Sequence, residues 1–444
     1  MSTYLGKQAI VVGAGMGGLL AARVAADHFE HVTILERDTL PADPVQRSGT
    51  PQARHVHALL GAGQRTIAEF FPGFEQDLAH AGAVPLQAGL DVRIERADFD
   101  PFPQRDLGWT SYSMSRPLIE FLVRRRLKEL GNVTLREGCR VRALTASADG
   151  ASVTGVRLDD DEALAADLVI DASGQGVPTL NLLDTLGRPR PPEDAIGVDI
   201  GYATALFEIP DDAPTGWKGV MTFPGLESSR GALMLPIEGG RWMLSVGGRY
   251  EHKPPGDPEG FMEFVRGLRT ATIPDAVSRA KRLSDVARFG FPASVRRHFE
   301  RVADFPRGLI PFADAVCRFN PVYGQGMSVA ALEASLLGRV LARARTAADP
   351  LAEIKTGFLG EVQAIIEAPW EMSAIPDFLL PQTTGERPPN FEMAIKFALA
   401  LTKLAARDPE VHKLNAEVQG LLRPRNALFE PALLQRVMAV MAEA

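Results

Sequence analysis

The chain opens on an apolar run from Gln8 to Val12, then a glycine-rich turn, then a helical stretch over Gly17–Asp27. A second apolar run, His31–Leu35, follows at once. Strand, helix and strand in this order make a βαβ unit, which predicts a parallel sheet because the helix returns the chain to the same end. A polar, proline-spotted loop is expected over Arg37–Arg54, a helix over Arg116–Leu130, and strands over Val133–Arg136 and Ala166–Ile170.

Between Gly197 and Tyr250 the pattern changes. Tyr202–Ile209, Gly231–Ile237 and Arg241–Val246 are short strand-like runs, the last two joined by Glu238-Gly239-Gly240. Short strands joined by tight turns predict an antiparallel sheet. After Phe305 a strand, a glycine turn and a helix over Ser328–Leu341 return, and from Pro350 the text is mostly helical. The expected fold is α/β: a Rossmann-type dinucleotide-binding domain, an inserted antiparallel-sheet substrate domain and a helical C-terminal region. The boundaries are 1–75, 110–185 and 285–345 for the first, 76–109 and 186–284 for the second, and 346–444 for the third.

Composition narrows the function classes. With 444 residues, 45% hydrophobic and 23% charged, the chain buries a large core and is not disordered. A net charge of −7 offers no basic footprint for nucleic acid. Two distant cysteines, Cys139 and Cys317, fit a reducing cytosol, and the N-terminus has no signal-peptide layout. The stretch Ala9–Ala26 carries four glycines and Arg23, a poor membrane span. The expectation is a cytoplasmic protein without integral membrane association.

Candidate chemistry starts at Val12-Gly13-Ala14-Gly15-Met16-Gly17-Gly18. Gly13 permits the tight turn, Gly15 lets backbone approach a pyrophosphate, and Gly18 lets helix pack on strand. Glu36 ends the second strand, where an acid can bond ribose hydroxyls. These features predict a dinucleotide and leave NAD and FAD open. A second segment favours FAD. Leu309–Ala315 ends near Asp314, and Asn320–Met327 opens a helix through Gly324 and Gly326. Such a helix start can offer N–H groups and a dipole to the negatively charged N1/O2 edge of a reduced flavin.

These pieces resemble the class A FAD-dependent monooxygenase superfamily, with the p-hydroxybenzoate hydroxylase fold, over about residues 6–345. Arg47–His57, Ser115-Arg116-Pro117-Leu118 and Asp314–Met327 look like the bacterial subgroup that includes the polyether olefin epoxidases. The resemblance implies that Asp314 bonds the FAD ribityl chain and that Gly326 and Met327 face the flavin through their N–H groups. It places Arg116 near the ribityl or phosphate groups, Arg37 near the adenosine half, and Val141 at the adenine through its backbone. Three positions depart from the pattern: Ser173 replaces an acid, Leu180 an arginine, and Ala313 a glycine.

The implied reaction is epoxidation or hydroxylation of an apolar small molecule by molecular oxygen through a flavin C4a-hydroperoxide, with the hard chemistry supplied by the cofactor. The reductant is NAD(P)H, acting directly or through a separate flavin reductase. No side chain is singled out as catalytic. Phe223, Met234, Leu235, Trp242 and Met243 are candidate substrate-lining residues on the inserted sheet. His55 and His57 have no carboxylate or cysteine cluster beside them, so a flavin-loop or core role is expected and no metal. Cys317 reads as a small buried hydrophobe, and the helix over Phe391–Leu404 as core-facing through Phe391, Ala394, Ile395, Ala398 and Leu401. Two alternatives stay open: a reductase or dehydrogenase of a prenyl-like substrate, similar to the geranylgeranyl reductases, and a non-catalytic FAD-binding partner protein.

Overall fold

The computed structural model describes residues 4–225 and 228–443. The first sheet is fully parallel, in the order Leu309–Pro311, Leu168–Asp171, Gly6–Val12, Phe29–Leu35, Val133–Arg136. Its central strands are buried from end to end (Ala9–Val12 and Leu168–Asp171), the mark of a sheet covered on both faces. Helix Met16–Ala25 packs against Gly326–Ala344 and Arg116–Lys128 and carries the turn between the first two strands. Element bounds differ from the sequence reading by one to a few residues, as fraying ends do.

The second sheet has seven strands, running Cys317–Arg318, Ala287–Arg297, Glu193–Glu208, Arg241–Arg249, Gly231–Ile237, Gly219–Thr222 and Val92–Glu95. It is antiparallel except at Val92–Glu95, which runs parallel to Gly219–Thr222. That strand was not foreseen, since four alternating residues do not declare a partner. Glu193–Glu208 is twice the expected length, because its first half continues past a register shift at Gly197/Ile200 to pair with Ala293–Arg297. Helices Gly61–Phe70 and Phe74–His80 were also missed.

Period-two alternation divides the sheet into two faces. One face holds Ala203, Ala205, Phe207, Met234, Trp242, Leu244 and Val246, packed on Phe261, Phe264 and Ile273 of helices Pro258–Arg266 and Thr272–Ser278. The other presents Tyr202, Thr204, Leu235, Met243, Ser245, Phe289 and Phe291 to the parallel-sheet domain. This corrects two of the lining residues: Met234 and Trp242 belong to the distal core, one position out of phase with Leu235 and Met243.

Helix Pro350–Asp377 lies along Gly326–Ala344, with Phe358 stacked on Phe312 at 5.8 Å. Helices Phe391–Arg407, Pro409–Gln419 and Pro431–Ala442 close a smaller core around Leu401, Leu404, Val418 and Val437. The first of these buries its second half in that core, while Phe391 at its start packs against the main core. Leu401 is buried, whereas Phe391, Ala394 and Ile395 are half-buried and Ala398 is exposed. Among the described residues, no helix is long and apolar enough to cross a membrane.

Candidate flavin site

Three glycines shape the turn after the first strand. Gly13 has φ +101°, and a Cβ there would meet Ala172 O at 2.6 Å. A Cβ on Gly18 would lie 1.9 Å from Gly13 O, so helix and turn touch backbone to backbone. Gly15 faces open space, the room a pyrophosphate needs. No side chain caps this helix, so its first N–H groups stay available to an anion.

Glu36 is buried at the end of the second strand. It accepts from the Ala14 amide at 2.7 Å and the Asp38 amide at 3.1 Å. Beside it lies Arg47, buried and within 3.4 Å of Glu36, 2.8 Å of Asp38 and 2.8 Å of Glu120. Arg47 also donates to Ala14 O at 3.2 Å, tying the long loop to the glycine turn. Burial pushes the Asp38 carboxyl up, and hydrogen bonds from Arg47 and the Gly49 amide outweigh it, leaving the group below its ordinary value. Arg37, expected near the adenosine, is exposed. The arginine buried beside Glu36 is Arg47, which the sequence reading quoted without a role. Its loop position gave no periodic signal. Val141 opens the three-stranded sheet Val141–Ala146, Val153–Leu158, Ala163–Ala165 and is half-buried.

Arg116 begins its helix behind the Ser115 N-cap and reaches Glu120 at 3.1 Å. Its Nε is buried with no partner. Such a donor fits a phosphate or hydroxyl oxygen, because an unmatched buried N–H costs about 1–3 kcal/mol.

The second segment approaches from the sheet edge. Ala313 has φ +54°, which explains a glycine at this place in related patterns, since Cβ disfavours the left-handed region by roughly 1 kcal/mol. Its N–H donates to the buried Glu333 at 2.8 Å, and its Cβ is the contact that excludes a side chain from Gly17. The two glycine-rich turns therefore abut. Asp314 follows, half-buried; enclosure raises its carboxyl, and the charges of Arg318 and Arg116 oppose the rise. Asn320 caps the Pro321–Tyr323 turn, Gly324 takes φ +65°, and the helix Gly326–Ala344 starts without a side-chain cap. A Cβ on Gly326 would enter open space.

A buried polar knot supports this turn from behind. Asp377 Oδ1 accepts from Arg249, from Asn320 at 3.0 Å and from the Tyr323 hydroxyl at 2.7 Å. Gln325 donates to Pro369 O at 3.1 Å, on the same C-terminal helix. From the side, the Leu60 amide donates to Ser328 Oγ at 3.0 Å, and Ala58 lies 3.3 Å from where a Gly324 Cβ would be. The His55–Leu60 segment thus runs along the start of the helix. His55 Nδ1 meets Thr204 Oγ1 at 2.7 Å and the Val56 amide donates to Ser245 Oγ at 2.9 Å, joining loop to sheet.

On the sheet face turned to the parallel-sheet domain, Tyr202, Leu235, Met243, Phe289 and Phe291 share one side, and the Tyr202 hydroxyl donates to Asn320 Oδ1 at 3.4 Å just before the helix start. Phe223 is half-buried just past the strand Gly219–Thr222, with the Arg96 guanidinium 5.3 Å above its ring. Cys317 is buried, and burial raises its thiol well above the ordinary value, so it is no nucleophile. Ser173 is exposed and Leu180 is buried in the main core. Asp171, fully buried, bonds the Ser173 amide, the Thr179 amide and the Thr179 hydroxyl. Two uncapped helix starts, open space at Gly15 and Gly326, and the unpaired Arg116 Nε suit FAD.

Comparison with known proteins agrees. The FAD binding domain family matches residues 7–352. Protein Rv3254 of Mycobacterium tuberculosis (strain ATCC 25618 / H37Rv) is 35% identical over 402 residues, covering 86% of this chain and 82% of its own. The flavin-dependent brominase Bmp2 superposes with a TM-score of 0.68 at 15% identity, over 93% of this chain and 94% of its own. PqsL of Pseudomonas aeruginosa, a probable FAD-dependent monooxygenase, gives 0.59 at 18% identity, over 83% and 96%. A flavoprotein/dehydrogenase from Cytophaga hutchinsonii gives 0.70 at 13% identity, over 99% and 100%. The chain belongs to the FAD binding domain family and has the fold of flavin-dependent oxidoreductases.

Proposed function

We propose that this protein is an FAD-dependent monooxygenase that epoxidises or hydroxylates an apolar small molecule. The observation that carries this reading is the apolar sheet face of Tyr202, Leu235, Met243, Phe289 and Phe291, tied to the turn before the flavin helix where the Tyr202 hydroxyl donates to Asn320. Such a face favours an apolar ligand and keeps water from the reacting centre. Bound flavin, once reduced, supplies the oxygen chemistry. The chain's own residues hold and bias it: Glu36 at the ribose, Arg116 and Asp314 along the ribityl chain, and the Gly326 and Met327 amides toward the ring edge. The positive end of helix Gly326–Ala344 favours the reduced, anionic ring there.

With Ser173 exposed and Leu180 committed to the core, the middle segment offers neither the acid nor the arginine of related patterns. Direct reduction by NADPH is therefore expected to be slow, and a separate flavin reductase to support more turnover. Stopped-flow mixing of the oxidised protein with NADPH, with and without candidate substrates, tests this. Flavin bleaching that keeps pace with turnover would restore a self-sufficient scheme. Oxygen uptake stoichiometric with an oxygenated product tests the monooxygenase reading. Turnover of a prenyl-like substrate without oxygen uptake would favour the reductase or dehydrogenase alternative, which the Cytophaga hutchinsonii likeness keeps in view as a fold-level analogy.

A further inference from the structure

His57 is placed deep in the molecule yet remains half-buried rather than sealed. Its Nδ1 lies 2.9 Å from His55 O. A carbonyl oxygen only accepts, so Nδ1 carries the proton and donates. In a neutral ring Nε2 is then a bare lone pair, an acceptor, and among the described residues no donor reaches it. Burial and the neighbouring Arg116 charge hold the imidazole down to about 3, so it stays neutral near pH 7. The surroundings identify the space it faces. Ala58, the next residue, abuts Gly324, and Leu60 is tied to Ser328 on the flavin helix. Arg116, whose charge reaches His57, also acts on Asp314. His57 therefore belongs to the segment that runs along the start of the flavin helix.

On that side Arg116 and the uncapped amides of Gly326 and Met327 present donors. Those match flavin oxygens and ring nitrogens. The flavin's own donors, its ribityl hydroxyls and ring imide N–H, need acceptors, and the His57 lone pair is one of the groups in reach of the helix start that can serve. We propose that His57 Nε2 accepts a hydrogen bond from one of these flavin donors, making His57 a cofactor-binding residue. The proposal rests on the FAD reading of this site. The invariant feature is the tautomer: the bond to His55 O fixes which nitrogen faces the cofactor.

The test is flavin affinity of the full-length protein, read by fluorescence quenching, independent of any turnover. His57→Leu and His57→Phe remove the acceptor and should weaken FAD binding about tenfold, the scale of one hydrogen bond. His57→Gln, which can place an oxygen near the lost nitrogen, should recover part of that. Lumiflavin, which lacks the ribityl chain, and N3-methylriboflavin, which lacks the imide proton, identify the donor. The variant penalty should vanish with one of the two probes and persist with the other. Equal FAD affinity in wild type, His57→Leu and His57→Phe, with thermal melts showing folded protein, would overturn the proposal. So would a penalty that persists in full with both probes. Failure of the unaltered protein to bind FAD would overturn the cofactor reading and this proposal together, an outcome distinct from unchanged affinity in the variants. His57→Gln guards against a packing artefact, since it changes shape while keeping an acceptor.

Discussion

Arg47 is ringed by three carboxylates, Glu36, Asp38 and Glu120, in a setting where few waters reach. Arg47→Met keeps much of the volume and strands all three acids. It should cost roughly 3–5 kcal/mol of stability, the scale for leaving buried charge unpaired. Denaturant titration reads the loss, and FAD affinity should fall with it, because Arg47 also holds Ala14 O of the glycine turn. A variant as stable as wild type would show that these carboxylates are solvated after all. Asp314→Asn differs, since among the described residues no hydrogen bond or ion pair ties the Asp314 side chain to the fold. It should weaken FAD by roughly 1–3 kcal/mol without lowering the melting temperature of the apoprotein, since enclosure already disfavours the Asp314 charge. Glu333 supplies a pH signature: burial raises its carboxyl to about 8 from 4.5, opposed by the Ala313 amide. At pH below the unfolded value both states hold the proton and nothing is lost. Between the two values the unfolded chain alone releases it, so stability falls by about 1.4 kcal/mol per pH unit and levels off above the folded value. Glu333→Gln mimics the protonated form and should gain on wild type as pH rises from 5 to 8. Parallel stability curves for the two proteins would refute this.

At the scale of elements, the flavin helix is steadied by the C-terminal helix Pro350–Asp377, which supplies Asp377 to Asn320, Tyr323 and Arg249 and Pro369 O to Gln325. The proline at 369 removes an internal donor, as any helical proline does, and its own carbonyl is shared between Gln325 and Ser373. Asp377→Ala would free the Asn320–Gly324 turn and strand Arg249. Hydrogen exchange should then quicken at residues 320–327 ahead of the parallel sheet, a local opening rather than a global one. Uniform acceleration across the whole chain would argue that Asp377 acts only on overall stability.

At the scale of the molecule, FAD is expected to touch residues from the first strand, the loop to His57, helix Arg116–Lys128 and the Ala313–Met327 segment. A ligand that bridges such distant parts binds the folded state alone, so FAD at a hundredfold excess over its Kd should add about 2.7 kcal/mol. Thermal melts with FAD, FMN and NAD measure this, and the purified protein should be yellow or become so with FAD. A larger rise with NAD and no flavin absorbance would sink the FAD assignment.

Local signals carried the first half of this account. The βαβ unit and its glycine spacing were legible because turn, helix start and strand-end acid lie within a few dozen residues and answer to local backbone geometry. Gly231–Ile237 and Val133–Arg136 were read with their observed bounds for the same reason. What the sequence could not supply was anything that depends on which distant segments meet. The phase of the second sheet put Met234 and Trp242 in the distal core and Leu235 and Met243 on the opposite face, and both sets are equally apolar. Asp377 gave no sequence signal, Arg47 stood out only as part of the Arg47–His57 resemblance, and His57 was left between a flavin-loop and a core role, because neighbours such as Glu120 beside Arg47 and Arg249 beside Asp377 are set by the fold. Tertiary packing decides them because a hydrogen bond acts over about 3 Å, whatever the separation along the chain.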